Sequence, residues 1–491
     1  MISKISPERI LTKRGYAIVK EHYDFKTLQK CRNELNVKPF VNSDYGAQPT
    51  PYPIYLESKK KLYLPKFYGL ENFGNPELLK ITKGQLIDLT FVGTLRKQQE
   101  PVIKAFMHTC KKGPFVEKSN GGIISVPCGW GKTIMALYLI SKLKRKTIIV
   151  VHKEFLLNQW KERIQEFLPS AKIGLIQGPK IDIENKDIVL AMLQSLSIKT
   201  YDNKIFSDFG FSIVDECHHI AAEVFSRALH KINTYYSLGL SATPTRVDGL
   251  SKVFKMFLGP TVYKIDKDNK CVEVRVIEYN EPHNKIYTKE ELTFTQKLCL
   301  PRMINNIAAN NNRNALIIGL CKKLLQDNRQ TIILSDRRNQ LSYLYGKINE
   351  FTSVGYYVGG MKQKDLKKSE GCTVILGTYP MSSEGLDIPT LDALIFATPK
   401  SNIQQSIGRI TRKKHTTDPI AYDIVDKFCM FPNQYRKRER LYKKLQYKVF
   451  KTSIFVKNEL TDILIENSLN NLKEFCVGKK KKQPCLINGD G

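Results

Sequence analysis

No apolar run in this sequence approaches the roughly 18 residues that a membrane-spanning helix requires, so no membrane segment is expected. The N-terminus, MISKISPERILTKRGY, lacks the continuous apolar core of a secretory signal, which points to an intracellular, reducing compartment. The eleven cysteines form no CxxC pair and no Cys/His cluster at zinc spacing. They read as small buried residues or bystanders, and no structural zinc is expected. Acidic side chains are scarce: 47 Asp and Glu face 78 Lys and Arg, a formal net charge of +31. A surface that basic repels itself unless polyanions are regular company, so nucleic acid is the expected partner, against the plainer reading of a Lys-rich compositional bias.

What is present is a globular composition, 42% apolar and 25% charged, in 491 residues, too many for one ordinary core. Residues 1–90 mix short apolar runs with Pro and aromatic turns and suggest a small α+β accessory module. From 91 to 265, strand-like runs (TIIVV, DIVLAML, FSIVDE) alternate with helical stretches, the rhythm of a parallel α/β sheet. The rhythm recurs from 266 to 450 in QTIILS, GCTVILGT and DALIFAT, and residues 451–491 read as a basic C-terminal extension, a helix followed by a loose tail. The expected fold class is α/β, with two tandem nucleotide-type domains between these ends.

The stretch SVPCGWGKTIM, 125–135, almost fits a phosphate-binding loop, but Val126 stands where the strict pattern has its first glycine. Such a loop needs backbone N–H groups converging at a helix N-terminus, with small residues where side chains would strike the phosphate. Gly129 and Gly131 meet that need, with Pro127, Cys128 and Trp130 completing the loop. Lys132 would reach the β and γ phosphates and Thr133 would hold Mg²⁺. A partner carboxylate pair is required at a strand end, and FSIVDECHH supplies it about 80 residues on. There Asp215 would bind Mg²⁺, largely through water, Glu216 would polarise the attacking water, and His218 would sense the γ phosphate. His219 reads as a packing or surface residue. LGLSATPTRVDGL places Ser241, Ala242 and Thr243 at another strand end, suited to couple hydrolysis to movement.

PCGWGKT, DECHH and SATPTRVDG resemble the signature motifs of superfamily 2 helicases, and the loop is similar to the XPB-like branch, in which the first glycine is often absent. The resemblance implies two RecA-like domains, ATP with Mg²⁺, and LRKQQ as the adenine-reading motif, with Gln99 as its recognition residue and Arg96 nearby. Lys97 and Gln98 depart from the commoner proline and tyrosine there. VVHKEFLLNQW and MLQSL resemble segments that contact the nucleic-acid backbone, naming Lys153, Gln159, Gln194 and Ser195, with Trp160 either a contact or a core residue. NIQQSIGRITRKK resembles the sixth motif, with Gln405, Arg409 and Arg412 directed at the γ phosphate. GTYPMSSEGLDIP resembles the fifth, with Gly385 and Asp387 on the nucleotide side and Thr378 toward the strand.

The chain also looks similar to helicases of large nucleocytoplasmic DNA viruses, of the poxvirus transcript-release type. That resemblance implies a DNA-dependent ATPase moving 3′ to 5′ in viral transcription or genome maintenance, in a virion or cytoplasmic virus factory, or in the nucleus, in company with transcription machinery. An RNA-directed DExH helicase, a cellular XPB-like translocase and a restriction-system motor stay open, as does a passive basic clamp with a vestigial ATP fold. YRKRERLYKK, 435–444, is expected to extend the nucleic-acid track, with Tyr435 and Tyr442 stacking on bases, or to be a solvated amphipathic helix. The KKKK run at 479–482 reads as a solvated or targeting tail.

Overall fold

The computed structural model describes residues 8–39, 50–111, 120–127, 129–202, 204–217, 222–242, 251–265, 271–384, 386, 388–411 and 415–475. The chain divides into two compact units, Met1–Asp266 and Lys267–Gly491. Each is built on an eight-stranded sheet, seven strands parallel and one edge strand antiparallel.

In the first unit the strand order is Lys180–Asp182, Ile173–Gln177, Ile188–Met192, Thr147–Val151, Phe211–Val214, Tyr236–Ser241, Gly121–Ser125, Thr261–Lys264. The runs TIIVV and FSIV are buried at every position. That is what central parallel strands covered on both faces require. Helices Lys132–Leu143 and Glu154–Phe167 cover one face, bringing Leu137, Ile140, Leu157 and Ile164 against Ile149, Ile213 and Leu238.

The other face is covered in large part by the N-terminal module. Its five-stranded sheet centres on the hairpin of Arg9–Thr12 and Gly15–Val19. At Gly15 φ is +121° and a Cβ would stand 2.3 Å from the Leu64 carbonyl oxygen, so only glycine closes this turn. Ile18, Leu62, Leu64 and Phe67 of the module join one hydrophobic cluster with Ile148, Val150, Phe225 and Phe257. Polar pins cross the same junction. Lys13 Nζ donates to the carbonyls of Phe206 (3.1 Å) and Phe209 (3.3 Å), Asn233 Nδ2 to Thr12 O (2.7 Å), and Lys66 Nζ to Thr234 O (3.2 Å) and Tyr235 O (2.8 Å). The module therefore shares its core with the first sheet.

In the second unit the order is Val354–Tyr357, Val374–Thr378, Thr331–Ser335, Ala393–Phe396, Ile420–Asp426, Glu273–Asn280, Lys448–Phe455, Lys473–Glu474. The sheet thus runs past residue 450, where the sequence suggests only an extension, and the helix Asp462–Asn470 packs on it. The tail beyond 475, with its KKKK run, lies outside the described residues. Strand Ile420–Asp426 carries two buried carboxylates, one to each face. Asp426 pairs with Arg313 at 2.8 Å, both side chains fully buried, and accepts the Tyr287 hydroxyl at 2.7 Å. Asp423 pairs with Arg438 at 2.8 Å and accepts the Tyr442 hydroxyl at 2.7 Å.

This corrects the base-stacking expectation for 435–444. The segment lies in helix Phe431–Leu445 and buries Tyr435, Arg438 and Tyr442 on one face, so neither tyrosine is available to a base.

Two predictions follow from these buried charges. Burial lowers the Lys66 ammonium from 10.5 to about 7. The unfolded chain then holds a proton between those values that the folded chain releases, so the penalty is full below pH 7 and is relieved as pH rises toward 10.5. The melting temperature of wild type relative to Lys66→Met should therefore climb across that range. Arg313→Met leaves Asp426 buried without its cation and should destabilise the second unit by about 3–5 kcal/mol, measured by denaturant melting.

Candidate active site

Strand Gly121–Ser125 runs into a loop that ends at Gly131, where helix Lys132–Leu143 begins. Gly129 and Gly131 hold φ values of 80° and 78°, a left-handed backbone that side chains resist. A Cβ on Gly131 would also meet Gln99 Nε2 at 2.5 Å, so a side chain there would displace the neighbouring amide as well as strain the backbone. Val126 is fully buried in the core on the helix side, and its N–H donates to Ser241 O at 3.1 Å. The residue that breaks the strict pattern thus ties the loop to strand Tyr236–Ser241. Cys128 lies outside the described residues.

The LRKQQ segment leans on this loop. The Gln99 side chain is buried and used at both ends: Nε2 donates to Trp130 O at 2.7 Å, and Oε1 accepts the Arg96 N–H at 2.9 Å. Arg96 Nη1 reaches Gly129 O at 3.4 Å. Pro127, Trp130 and Thr133 are partly buried around it.

Across the loop stands the carboxylate pair that follows strand Phe211–Val214. Lys132 Nζ lies 2.9 Å from Glu216 Oε1, with both side chains only about a tenth exposed (10% and 13%). Asp215 is buried behind them. Its Oδ2 accepts the Trp160 indole N–H at 2.9 Å, and its Oδ1 accepts the Glu216 backbone N–H at 2.9 Å. Burial and then the Glu216 charge hold the Asp215 carboxyl above the usual carboxylate range, with Lys132 and the indole acting the other way. Glu216 itself has φ of 44°, a left-handed conformation that costs energy for a residue other than glycine and is of the kind that clusters at functional centres. Cys217 is buried and its thiol is pushed up to about 12, first by burial and then by Glu216, so it packs as a neutral group.

Trp160 is the residue whose part in the site the sequence did not reveal. It is 1% exposed, which removes it from any contact with nucleic acid, and it positions Asp215 instead. The signal available was its place on the helix after strand Thr147–Val151, the neighbour of strand Phe211–Val214.

The remaining candidates fall into smaller groups. Lys153 stands immediately before helix Glu154–Phe167, with no capping hydrogen bond from its side chain, and Gln159 is partly buried on the helix. Gln194 Nε2 donates to His152 O at 2.9 Å, and Ser195 Oγ accepts the Gly178 N–H at 2.9 Å. The structure thus brings the two segments expected at the strand together at the carboxyl end of the first sheet. Ser241 is buried and Ala242 partly buried. In the second unit Thr378 ends strand Val374–Thr378 beside Ser335, Gln405 is partly buried on helix Gln404–Ile410, and Arg409 Nη1 donates to Leu386 O at 3.0 Å. His218, His219, Thr243, Gly385, Asp387 and Arg412 lie outside the described residues.

Residues 93–246 match the family described as type III restriction enzyme, res subunit, and residues 314–414 match the helicase conserved C-terminal domain. The chain is 36% identical over 454 residues to L396 of Acanthamoeba polyphaga mimivirus, provisionally named an ATP-dependent RNA helicase, covering 90% of this chain and 86% of that one. The chain belongs to the superfamily 2 helicases of large DNA viruses. A second relative, the provisionally named helicase 161L of Invertebrate iridescent virus 6, is 29% identical over 84% of this chain and 94% of its own. The solved structure of S. cerevisiae Dbp5 bound to RNA and ADP BeF3 shares the fold, with a TM-score of 0.52 at 14% identity over 72% of this chain and 89% of Dbp5. The helicase is accordingly an ATP-hydrolysing enzyme that binds nucleic acid, and the passive clamp is set aside. Among the described residues, no helix is long and apolar enough to cross a membrane.

Trp160→Phe keeps most of the ring and removes only the N–H that Asp215 accepts. On the expectation that Asp215 holds Mg²⁺, loss of the donor that orients it should lower ATP turnover about 10–100-fold while the fold persists. The helicase has two tryptophans, so this variant leaves Trp130, on the phosphate loop, as the sole indole fluorophore. Nucleotide titration by its emission then separates binding from turnover.

Proposed function

We propose that this helicase uses ATP with Mg²⁺ to move along nucleic acid, with DNA as the track and 3′ to 5′ as the direction. The observation that carries the ATP chemistry is the Lys132–Glu216 contact at 2.9 Å, beside a glycine loop and a buried Asp215 held by Trp160. The residues fit a nucleoside triphosphate: two left-handed glycines leave the loop backbone bare, and a cation begins the helix behind it.

In this reading the loop 127–131 and Lys132 hold the phosphates, and Thr133 and Asp215 hold the metal ion. Mg²⁺ supplies charge neutralisation at the phosphate oxygens. Glu216 accepts the proton of the attacking water, with His218 nearby in sequence. Arg96 and Gln99, already anchored on the loop, read the base. From the second unit, Gln405, Arg409 and Arg412 stabilise charge on the γ phosphate, with Gly385 and Asp387 on the nucleotide side. Ser241, Ala242 and Thr243 couple hydrolysis to motion. Lys153, Gln159, Gln194, Ser195 and Thr378 contact the phosphate backbone, which suits a net charge of +31 and sequence-indifferent binding.

The restriction-enzyme family match and the XPB-like loop support DNA as the track. RNA is the second reading, favoured by the provisional name of the mimivirus relative. Relatives in large DNA viruses support work in viral transcription or genome maintenance, in a virion or virus factory.

ATP turnover of wild type, Lys132→Ala and Glu216→Gln, each with single-stranded DNA, duplex DNA and RNA, tests this. Glu216→Gln should lower kcat about 10²–10⁴-fold, the range of a lost general base. Greatest stimulation by RNA would move the track to RNA, and no stimulation by any polymer would overturn the motor. Strand displacement with 3′ and 5′ overhangs reads the direction.

A further inference from the structure

Between strand Glu273–Asn280 and helix Leu300–Ala309 the second unit makes an excursion, 281–299, that the motifs above do not use. Its start is sunk in the core. The Glu281 carboxylate is 4% exposed and accepts from Tyr279 Oη and Asn310 Nδ2, each at 2.7 Å, and from Asn312 Nδ2 at 2.8 Å, while Tyr287 is buried with its hydroxyl on Asp426. Its end is a short antiparallel hairpin. Leu292 pairs with Leu298, Cys299 N–H donates to Glu291 O at 2.6 Å, and Thr293 N–H donates to Lys297 O at 2.6 Å. Gln296, with φ of 58°, takes the left-handed position that a three-residue hairpin loop demands. The hairpin is strapped to the following helix by Arg302 Nη1 on Leu292 O (3.0 Å) and Asn306 Nδ2 on Glu291 Oε1 (3.2 Å).

On this braced hairpin the first loop residue, Phe294, is 102% exposed. An aromatic ring wholly in water on a stiff support costs hydration with no return from packing. The paired Leu292 and Leu298 of the same hairpin are also exposed, at 42% and 37%, so exposed apolar side chains gather at this tip instead of standing singly, and gathered exposure marks a contact site. The neighbours Thr293, Thr295, Gln296 and Lys297 are hydroxyl, amide and cation, the groups that line nucleic-acid contacts. The excursion leaves the parallel sheet at the carboxyl end of its strand, the edge at which Thr378 also ends its own strand and at which open α/β sheets place their ligands.

We propose that Phe294 stacks on an unpaired nucleobase of the bound nucleic acid, giving the helicase a base-contacting tip beside its backbone contacts. This rests on the motor reading above. A nucleobase is favoured over a protein surface because every base offers a π face, stacking is indifferent to sequence, and a chain of net charge +31 draws polyanions to that tip. A ring at the point where a base leaves its pair would also hold it unpaired, which converts movement into strand separation.

The test uses the full chain with a forked DNA and a forked RNA carrying 2-aminopurine at the first unpaired position, comparing wild type, Phe294→Ala and Phe294→Trp. Wild type and Phe294→Trp should change the 2-aminopurine emission on binding. Phe294→Ala should lose that change, bind about tenfold more weakly, the loss expected from one base–aromatic stack, and displace fewer strands per ATP hydrolysed. Its melting temperature should match wild type, because the ring is wholly exposed. An alanine variant with the wild-type emission change and affinity would overturn the proposal, as would one whose only change is in sedimentation, since the tip would then seat in a second copy. The 2-aminopurine signal needs no ATP turnover, so a chain that binds the fork without stimulated hydrolysis refutes the motor and leaves the stack separately measured.

Discussion

The contact between Lys132 and Glu216 sets what the first unit must be. The two side chains follow strands Gly121–Ser125 and Phe211–Val214, which are not neighbours: strand Tyr236–Ser241 lies between them. Two strand spacings are about 10 Å, a gap that a lysine and a glutamate span together and shorter side chains do not. The middle strand is therefore part of the geometry. Val126 N–H fastens to its last carbonyl, so the phosphate loop is held in place by the strand that the ion pair crosses. Trp160 completes the arrangement from the next strand along, because it belongs to the helix that follows Thr147–Val151 and its indole N–H holds Asp215. Four adjacent parallel strands thus each fix one part of the site.

Such a sheet is stable only with both faces covered, and here the N-terminal module supplies much of the second cover. The polar pins at that junction are side-chain donors on backbone carbonyls, which satisfy the loop ends that the module buries. The second unit solves a similar problem differently. Its strand Ile420–Asp426 places Asp423 and Asp426 on opposite faces, and each carboxylate finds an arginine and a tyrosine from the helices or loops on that side. Losing one partner of such a pair leaves an uncompensated buried charge, so each carboxylate is costly to separate from its arginine.

The parts of this design that were legible in the sequence are those in which chemistry restricts residue type: Gly131, Lys132, Asp215 and Glu216 stand together as the motif spacing required. Val126 was legible as a departure but not as a core residue, because burial is a property of the sheet. Trp160 was ambiguous for the same reason, since an indole suits a core and a nucleic-acid surface equally until its partner is known. Residues 448–455 were missed as a sheet strand because KVFKTSIF carries two lysines, which an outer strand beside a short antiparallel edge accommodates.

The aromatic residues show how charge in the neighbourhood can mislead. YRKRERLYKK looks like a track because six of its residues are Arg or Lys, yet Tyr435, Arg438 and Tyr442 fall three and four residues apart, the spacing of one helical face. That periodicity places them together, and the buried Asp423 turns the face inward. Phe294 presents the reverse case. ELTFTQKL is charged only at Glu291 and Lys297 and has no helical period, and its ring is in water because Phe294 opens the three-residue loop between Thr293 and Lys297. The proposed contact with bases therefore turns on the direction in which the backbone delivers a ring, and the basic composition suits a polyanion nearby.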